Sequence, residues 1–307
     1  MEDSLSFRLA TPQDFEEVQK LSKGIHKGHD NLPIIYHEWL KQDNITIMVA
    51  IIAGKIIGLE ALVIVDDGKT AVIRARRIHP DYRGRSYGTR LSETLKTYVQ
   101  QTFPGICRAR LVTTHQRDPP SNYRELLVQH TVACNVDKSL FEVENLPRTE
   151  KQLVFCTREH FADVILSRPV LKNSFPNETL VIDWIPVETI RSNIDDMLKD
   201  GSQLFIEQCS DEHKPISFSH GRLTPRTEVL EWSCAIFTQD PEFYKAHLIQ
   251  QIATAARTVD GNFVFVSFQT KHMARLGKEL LFDKVKLTEC EFFRDEAEKQ
   301  ILYEKDW

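Results

Sequence analysis

Arg83-Gly84-Arg85-Ser86-Tyr87-Gly88 is the run whose residue types come nearest to chemistry. Apolar alternation ends before it at Ile78, and a helical pattern with Leu91, Leu95 and Val99 on one face begins after it at Thr89. A strand-to-helix junction of this kind points unpaired backbone N–H groups along the helix axis, beside the positive end of its macrodipole. Glycine lets a ligand come close to the main chain, and Arg83 and Arg85 add positive charge, so the run suits a pyrophosphate. It has neither the P-loop spacing nor the dinucleotide fingerprint, which speaks against ATP or a dinucleotide. An ordinary glycine turn is the alternative.

Glu60 is the second candidate. It interrupts the apolar run Ile56 to Val65 on the side of Gly58 and Leu62. Burial there would raise its pKa toward values useful to a general base, whereas a place at the sheet edge would leave it facing solvent. Arg74-Ala75-Arg76-Arg77 is the third. Strand alternation puts Arg74 and Arg76 on one face and Arg77 on the other. In a cleft, such arginines grip a carboxylate and favour a small amino acid; surface salt bridging is the alternative. His26, His29 and Asp30 lie in a polar loop before Pro33 and lack a rigid platform, so a solvated loop and no metal are expected. The six cysteines are scattered without a CxxC pair and are expected as reduced thiols, mostly buried in strands.

The elements that must position these residues fit a soluble, two-domain chain. At 307 residues, with 41% apolar and 27% charged residues, it fits two domains better than one. A net charge of −5 argues against a general nucleic-acid or membrane-surface binder. The acidic Met1-Glu2-Asp3-Ser4 leads into an expected strand, so no secretory signal and a cytoplasmic location are expected. Along the chain the patterns predict a strand over Leu5 to Ala10, a helix capped by Thr11, and a short second helix near Tyr36 to Leu40. Strands over Ile45 to Ile52, Lys55 to Val65 and Thr70 to Ile78 follow as an antiparallel meander. The helix after the loop precedes a strand over Ala109 to Thr114 and a helix over Asn122 to Gln129. In the second half, strands are expected over Leu180 to Val187, Val229 to Thr238, Asn262 to Gln269 and Val285 to Phe293. A helix starts at Pro241, and Asn173 to Asn177 is the linker candidate.

Ile78-x-Pro80 followed by Arg83-Gly84 and Gly88 resembles the acetyl-CoA loop of the GCN5-related N-acetyltransferases. The family pattern, Arg or Gln-x-x-Gly-x-Gly or Ala, is filled by Arg83, Ser86 and Gly88, with serine for the middle glycine. The order of elements is similar as well. The resemblance implies an α/β fold of two tandem acyltransferase-like domains on mixed sheets: residues 1–160 with the loop, and a degenerate 161–307 without it. The corresponding stretch of the second half, Thr238 to Tyr244, has no glycine or arginine, and Asp240 and Glu242 would repel a pyrophosphate.

The same resemblance implies acetyl-CoA as co-substrate, contacted by Ile78, His79, Arg83, Gly84, Arg85, Ser86, Tyr87, Gly88, Thr89 and Asn122. It gives the backbone N–H near Ile78 to the thioester carbonyl and makes Glu60 the candidate base. Tyr123 is the nearest stand-in for the family's acid, because the expected tyrosine position holds Gln129-His130; His130 or water are alternatives. Arg74, Arg76 and Tyr36 are expected at the amine substrate, near the loop that covers it in the family. The stretch Phe7 to Phe15, the run Arg74 to Gly88 and the second half are similar to the vertebrate histidine N-acetyltransferases. That implies acetyl transfer to the α-amino group of free L-histidine, a small-molecule partner, and neither nucleic acid nor membrane. A transferase for another amine or a protein, or an acetyl-CoA-binding regulatory module with little turnover, is the alternative.

Overall fold

The computed structural model describes residues 4–114, 122–165, 176–198, 201–208 and 215–307. Two compact units emerge. The first holds Met1–Leu111, Arg226–Glu228 and Glu304–Trp307, and the second holds Val112–Pro225 and Val229–Tyr303.

The first unit runs β1 (Ser6–Leu9), α1 (Phe15–Ser22), α2 (Leu32–Trp39), β2 (Ile45–Ile52), β3 (Lys55–Val65), β4 (Thr70–Ile78), α3 (Tyr87–Thr102) and β5 (Arg108–Thr113). Its strands lie in the order β1-β2-β3-β4-β5, antiparallel as far as β4 and parallel between β4 and β5. The three meander strands begin and end where the sequence pattern puts them. Ala53 and Gly54 both have positive φ (49° and 74°), which matches the twist of a two-residue hairpin. Each face of the sheet is covered. Leu91, Leu95 and Val99 of α3 pack on Met48, Leu62 and Ile64. Val18, Leu32, Tyr36 and Trp39 of α1 and α2 pack on Val49, Leu59 and Ala61. Each such fully buried apolar side chain stabilises the unit by about 1.5–3 kcal/mol.

The second unit begins with β6 (Arg124–Val136), β7 (Leu153–Phe155), α4 (Arg158–Ile165), β8 (Thr179–Ile182), β9 (Ile185–Glu188) and α5 (Arg191–Met197). It continues through β10 (Gln203–Glu207), β11 (Phe218–Pro225), β12 (Leu230–Phe237), α6 (Pro241–Thr258), β13 (Phe263–Gln269) and α7 (Lys271–Lys278). After α7 come a π-helical stretch (Glu279–Lys284), β14 (Thr288–Glu289), α8 (Glu291–Asp295) and β15 (Lys299–Asp306), whose last residues belong to the first unit. Within this unit β6, β13, β12, β11, β10 and β7 are neighbours in that order, with β12 and β13 parallel. Helix α6 buries Tyr244, Leu248, Ile252 and Val259 against Trp232, Cys234 and Phe265.

Several expectations are corrected. The helix expected over Asn122 to Gln129 is instead the start of β6. Its continuation Thr131-Val132-Ala133-Cys134 pairs with β13, and that distant partner decides the local conformation. The strand expected over Leu180 to Val187 folds back as the hairpin β8–β9, turning at Asp183 and Trp184, both of positive φ. The strand expected over Val285 to Phe293 breaks at Lys286 (φ 65°) and gives way to α8, which buries Phe292 and Phe293. Strand β15 had no counterpart in the sequence reading. Residues 173–175 of the linker candidate, and Cys209, lie outside the described residues. Cys107 is exposed and Cys134, Cys156, Cys234 and Cys290 are buried, all as free thiols. Among the described residues no helix is long and apolar enough to cross a membrane.

Candidate functional site

Strand β4 pairs with β3 along its whole length but with β5 only over Thr70–Ile73. Beyond Ile73 the two parallel strands part company. At the far end, Gly58 faces Ile78, and the His79 N–H donates to the Ile57 carbonyl at 2.8 Å. That register makes Gly58–Ile78 a pair without mutual hydrogen bonds, so the Ile78 N–H points away from β3, toward the side where β5 has stopped pairing. A short turn, Pro80–Tyr82, then leads into the loop, and the Arg83 Nε donates to the Ile78 carbonyl at 3.0 Å. The His79 Nδ1 accepts from the Asp81 N–H at 3.3 Å.

Gly84 (φ 76°) and Ser86 (φ 59°) both take the left-handed conformation, and α3 starts at Tyr87. Ser86, the N-cap, makes no side-chain capping bond, so its side chain leaves the first-turn N–H groups open. Arg83, Gly84, Arg85, Ser86 and Thr89 are exposed, while Tyr87 and Gly88 are half-buried. Arg85 lies over the Tyr82 ring at 5.9 Å. A side chain at Gly88 would crowd its neighbours. A Cβ there would meet the Arg76 guanidinium at 3.2 Å and Ile78 at 3.4 Å. Open helix donors, two exposed arginines and accessible main chain fit a diphosphate.

Glu60 sits behind this loop. Its residue is 1% exposed, and its carboxylate accepts a hydrogen bond from the Ser92 Oγ, one turn into α3. The Ser92 Oγ also lies 3.0 Å from the Gly88 carbonyl, so its single proton is shared between that oxygen and the carboxylate, tying Glu60 to the loop's last glycine. Burial pushes the Glu60 carboxyl above its usual range, and the Ser92 bond and the Arg76 charge only partly offset this. The side chain therefore lies on the α3 face beside Gly58 and Leu62, as the alternation predicts. Ser92 was not singled out in the sequence; the one trace it leaves there is its place four residues after Gly88.

The arginine strand is rearranged. Pairing shifts register between Leu59 and Ala61, so Ala75 and Arg76 together oppose Glu60, and Ala75 has φ 53°. This bulge re-aims the side chains that follow it. Arg74 and Arg76 do not share a face. Arg74 lies over the Trp39 ring at 5.6 Å, and Arg77 turns the same way to reach Ser22 and Asp30. Arg76 alone turns to the α3 face, with its Nε 4.0 Å from the Glu60 carboxylate.

Asp30 is a further correction. It is 3% exposed and holds Arg77 at 2.7 Å and 3.2 Å, so the end of the loop is pinned at Asp30, while His26 is exposed as expected and His29 is half-buried. Desolvation pushes the Asp30 carboxyl up, but Arg77 and the Leu32 N–H outweigh it and hold it below its usual range. Tyr36 is fully buried, its hydroxyl donating to the Thr11 carbonyl at 2.7 Å. Asn122 (φ 79°) and Tyr123 precede β6 in the second unit and are on no helix. Among the described residues no group of three or more His, Cys, Asp and Glu side chains could hold a metal.

The second unit has the corresponding junction between β12 and α6. There Asp240 turns its carboxylate onto the helix, with Oδ1 accepting from the N–H groups of Glu242 at 2.8 Å and Phe243 at 3.0 Å. The donors that would meet a phosphate are already taken.

A strand-splayed sheet with an open, arginine-flanked helix N-terminus defines the class of acyltransferase folds that the sequence resembles. Comparison with known proteins agrees. Residues 13–122 match the acetyltransferase (GNAT) family, and residues 149–270 match the histidine N-acetyltransferase C-terminal family. The chain thus combines a match to a GNAT acetyltransferase domain with a match to the C-terminal family named for histidine N-acetyltransferase. It is 30% identical over 211 residues to the histidine N-acetyltransferase of Oreochromis niloticus, which covers 64% of this chain and 63% of that one. It is 28% identical over 206 residues to the probable N-acetyltransferase 16 of Homo sapiens, covering 62% and 56%. The matches thus span less than two thirds of these curated relatives. A tandem GNAT protein from the clavulanic acid biosynthesis pathway shares the fold, with a TM-score of 0.57 and 10% identity over 99% of this chain and 98% of that one.

Proposed function

We propose that this chain is an acetyl-CoA-dependent N-acetyltransferase for the α-amino group of a free amino acid, with L-histidine the first candidate. The observation that carries the reading is the β4–α3 junction: open helix donors and exposed arginines in front of a buried carboxylate. The names of the relatives and the C-terminal family match support histidine as substrate.

Acetyl-CoA supplies the activated acetyl group as a thioester. In this reading the main chain of Arg83 to Gly88 and the arginine side chains bind its diphosphate. The Ile78 N–H, pointing away from β3, donates to the thioester carbonyl; one such donor is worth about 3 kcal/mol. Glu60, made more basic by burial, takes the proton of the substrate ammonium through a water molecule. Ser92 fixes the carboxylate. Arg76, half exposed beside Glu60, takes the substrate carboxylate, and Arg74 on Trp39 shapes the opposite face of β4. The second nitrogen proton, lost as the tetrahedral intermediate collapses, passes through water to the departing thiolate without needing Tyr123. One coenzyme site, in the first unit, fits the Asp240 plug in the second.

Free-thiol release from acetyl-CoA, measured across free amino acids and a short peptide, tests this. Release with histidine well above the others is expected. Measurable acetyl-CoA affinity without release for any amine would replace the enzyme with a coenzyme-binding module.

A further inference from the structure

The second unit holds a cavity of about 630 Å³ between α7 and the middle of β6. Lys271, Arg275 and Lys278 line it at spacings of four and three, so they share one face of the helix. His130 and His272 join them, and Glu298 is the one carboxylate in the lining. Lys278 is paired with Glu289 at 3.1 Å. Among the described residues Lys271 and Arg275 make no ion pair. Such a concentration of positive charge is unexpected in a chain of net charge −5.

One further observation points to a ligand. Helix α7 starts at the cavity, and its N-cap Thr270 makes no side-chain capping bond, in contrast to Asp240 on α6 in the same unit. The local field agrees. Burial lowers the His130 pKa, Glu298 opposes this, and Lys271, Lys299 and Lys278 push it lower still. Sites for small molecules occupy about 300–1,000 Å³, so the volume suits a metabolite rather than a polymer.

We propose that this cavity is a binding site for a small dianion, a phosphate-bearing or dicarboxylate molecule. Lys271, Arg275 and the first turn of α7 meet its charges. The site is separate from the β12–α6 junction and does not depend on the acetyltransferase reading.

The test uses the full chain carrying Gly84→Glu, which removes the competing phosphate cradle of the first unit. The ring signals of His130 are followed by NMR during titration with inorganic phosphate and, separately, with succinate. A saturable shift with either is expected, with the His130 pKa rising as an anion arrives beside the imidazolium. Phosphate alone would name the phosphate esters, succinate alone the dicarboxylates. Lys271→Glu with Arg275→Glu, both exposed, should weaken binding by about tenfold or more, while Lys284→Glu should not. No saturable shift with either anion, or equal binding by the double variant, would overturn the proposal.

Discussion

The β4–α3 and β12–α6 junctions occupy the same place in two similar arrangements, and they end differently. In each unit a strand leads into a long helix, which returns to a strand lying parallel to the first. In the first unit the parallel pairing stops at Ile73, five residues before β4 ends, and Gly84 and Ser86 bend the main chain outward. In the second, pairing runs to Ala235, two residues before β12 ends, and Asp240 closes the helix with its own carboxylate. A fold of this kind offers a helix N-terminus in either case. The local residues decide whether an outside anion or an internal one fills it.

The largest effect expected from breaking this contrast is at Gly84. Gly84→Glu should weaken acetyl-CoA binding by about a hundredfold or more, read by calorimetry, because it combines left-handed strain with a negative charge at the helix end. No atom lies within 4 Å of a Cβ at this position, so crowding in the free chain is not the cause. Gly84→Ala isolates the strain and should cost less. Unchanged affinity in Gly84→Glu would place the coenzyme elsewhere.

Glu60→Gln should come next, lowering kcat by about two decades or more with little change in acetyl-CoA affinity. The wild-type rate should rise with pH as the carboxyl ionises, at a pH above the ordinary carboxylate value of 4.5, and the variant should lose that limb. A retained limb would assign the proton to another group. Ser92→Ala should act in the same profile but more gently. It removes a donor that stabilises the ionised carboxylate, so the limb should move to higher pH while the plateau changes little. A drop in the plateau without movement of the limb would make Ser92 a packing residue only.

Local signals made the first unit readable. Tight turns at Ala53-Gly54 and Asp66-Asp67-Gly68 punctuate long apolar strands, and the glycines and arginines of the loop declare a ligand-facing junction. Alternation put Glu60 on the side of Gly58 and Leu62 but left burial and a solvent-facing edge both open, and the structure buries it. What could not be read depended on partners distant in sequence. Strand β6 is fixed by β13, more than a hundred residues later, and the bulge at Ala75 appears only once β3 is opposite. That bulge separates Arg74 from Arg76, so strict alternation assigned them to the wrong faces. Asp30 looked like a loop residue because its partner Arg77 is 47 residues away.

The smallest effect belongs to the second junction. Asp240→Ala removes the acceptor for two helix N–H groups and should cost about 1 kcal/mol of stability, read as a lower denaturant midpoint. Asp240→Asn keeps an oxygen acceptor and should restore most of it, since Asn and Asp cap comparably. Acetyl-CoA affinity should be the same in all three proteins. The comparison is sharpest here, because exposing the donors of α6 supplies neither the left-handed glycine nor the flanking arginines of the first junction. If Asp240→Ala gained a second coenzyme equivalent, the carboxylate would be the whole difference between the two junctions. A loss of coenzyme affinity would instead make the second unit part of the coenzyme site.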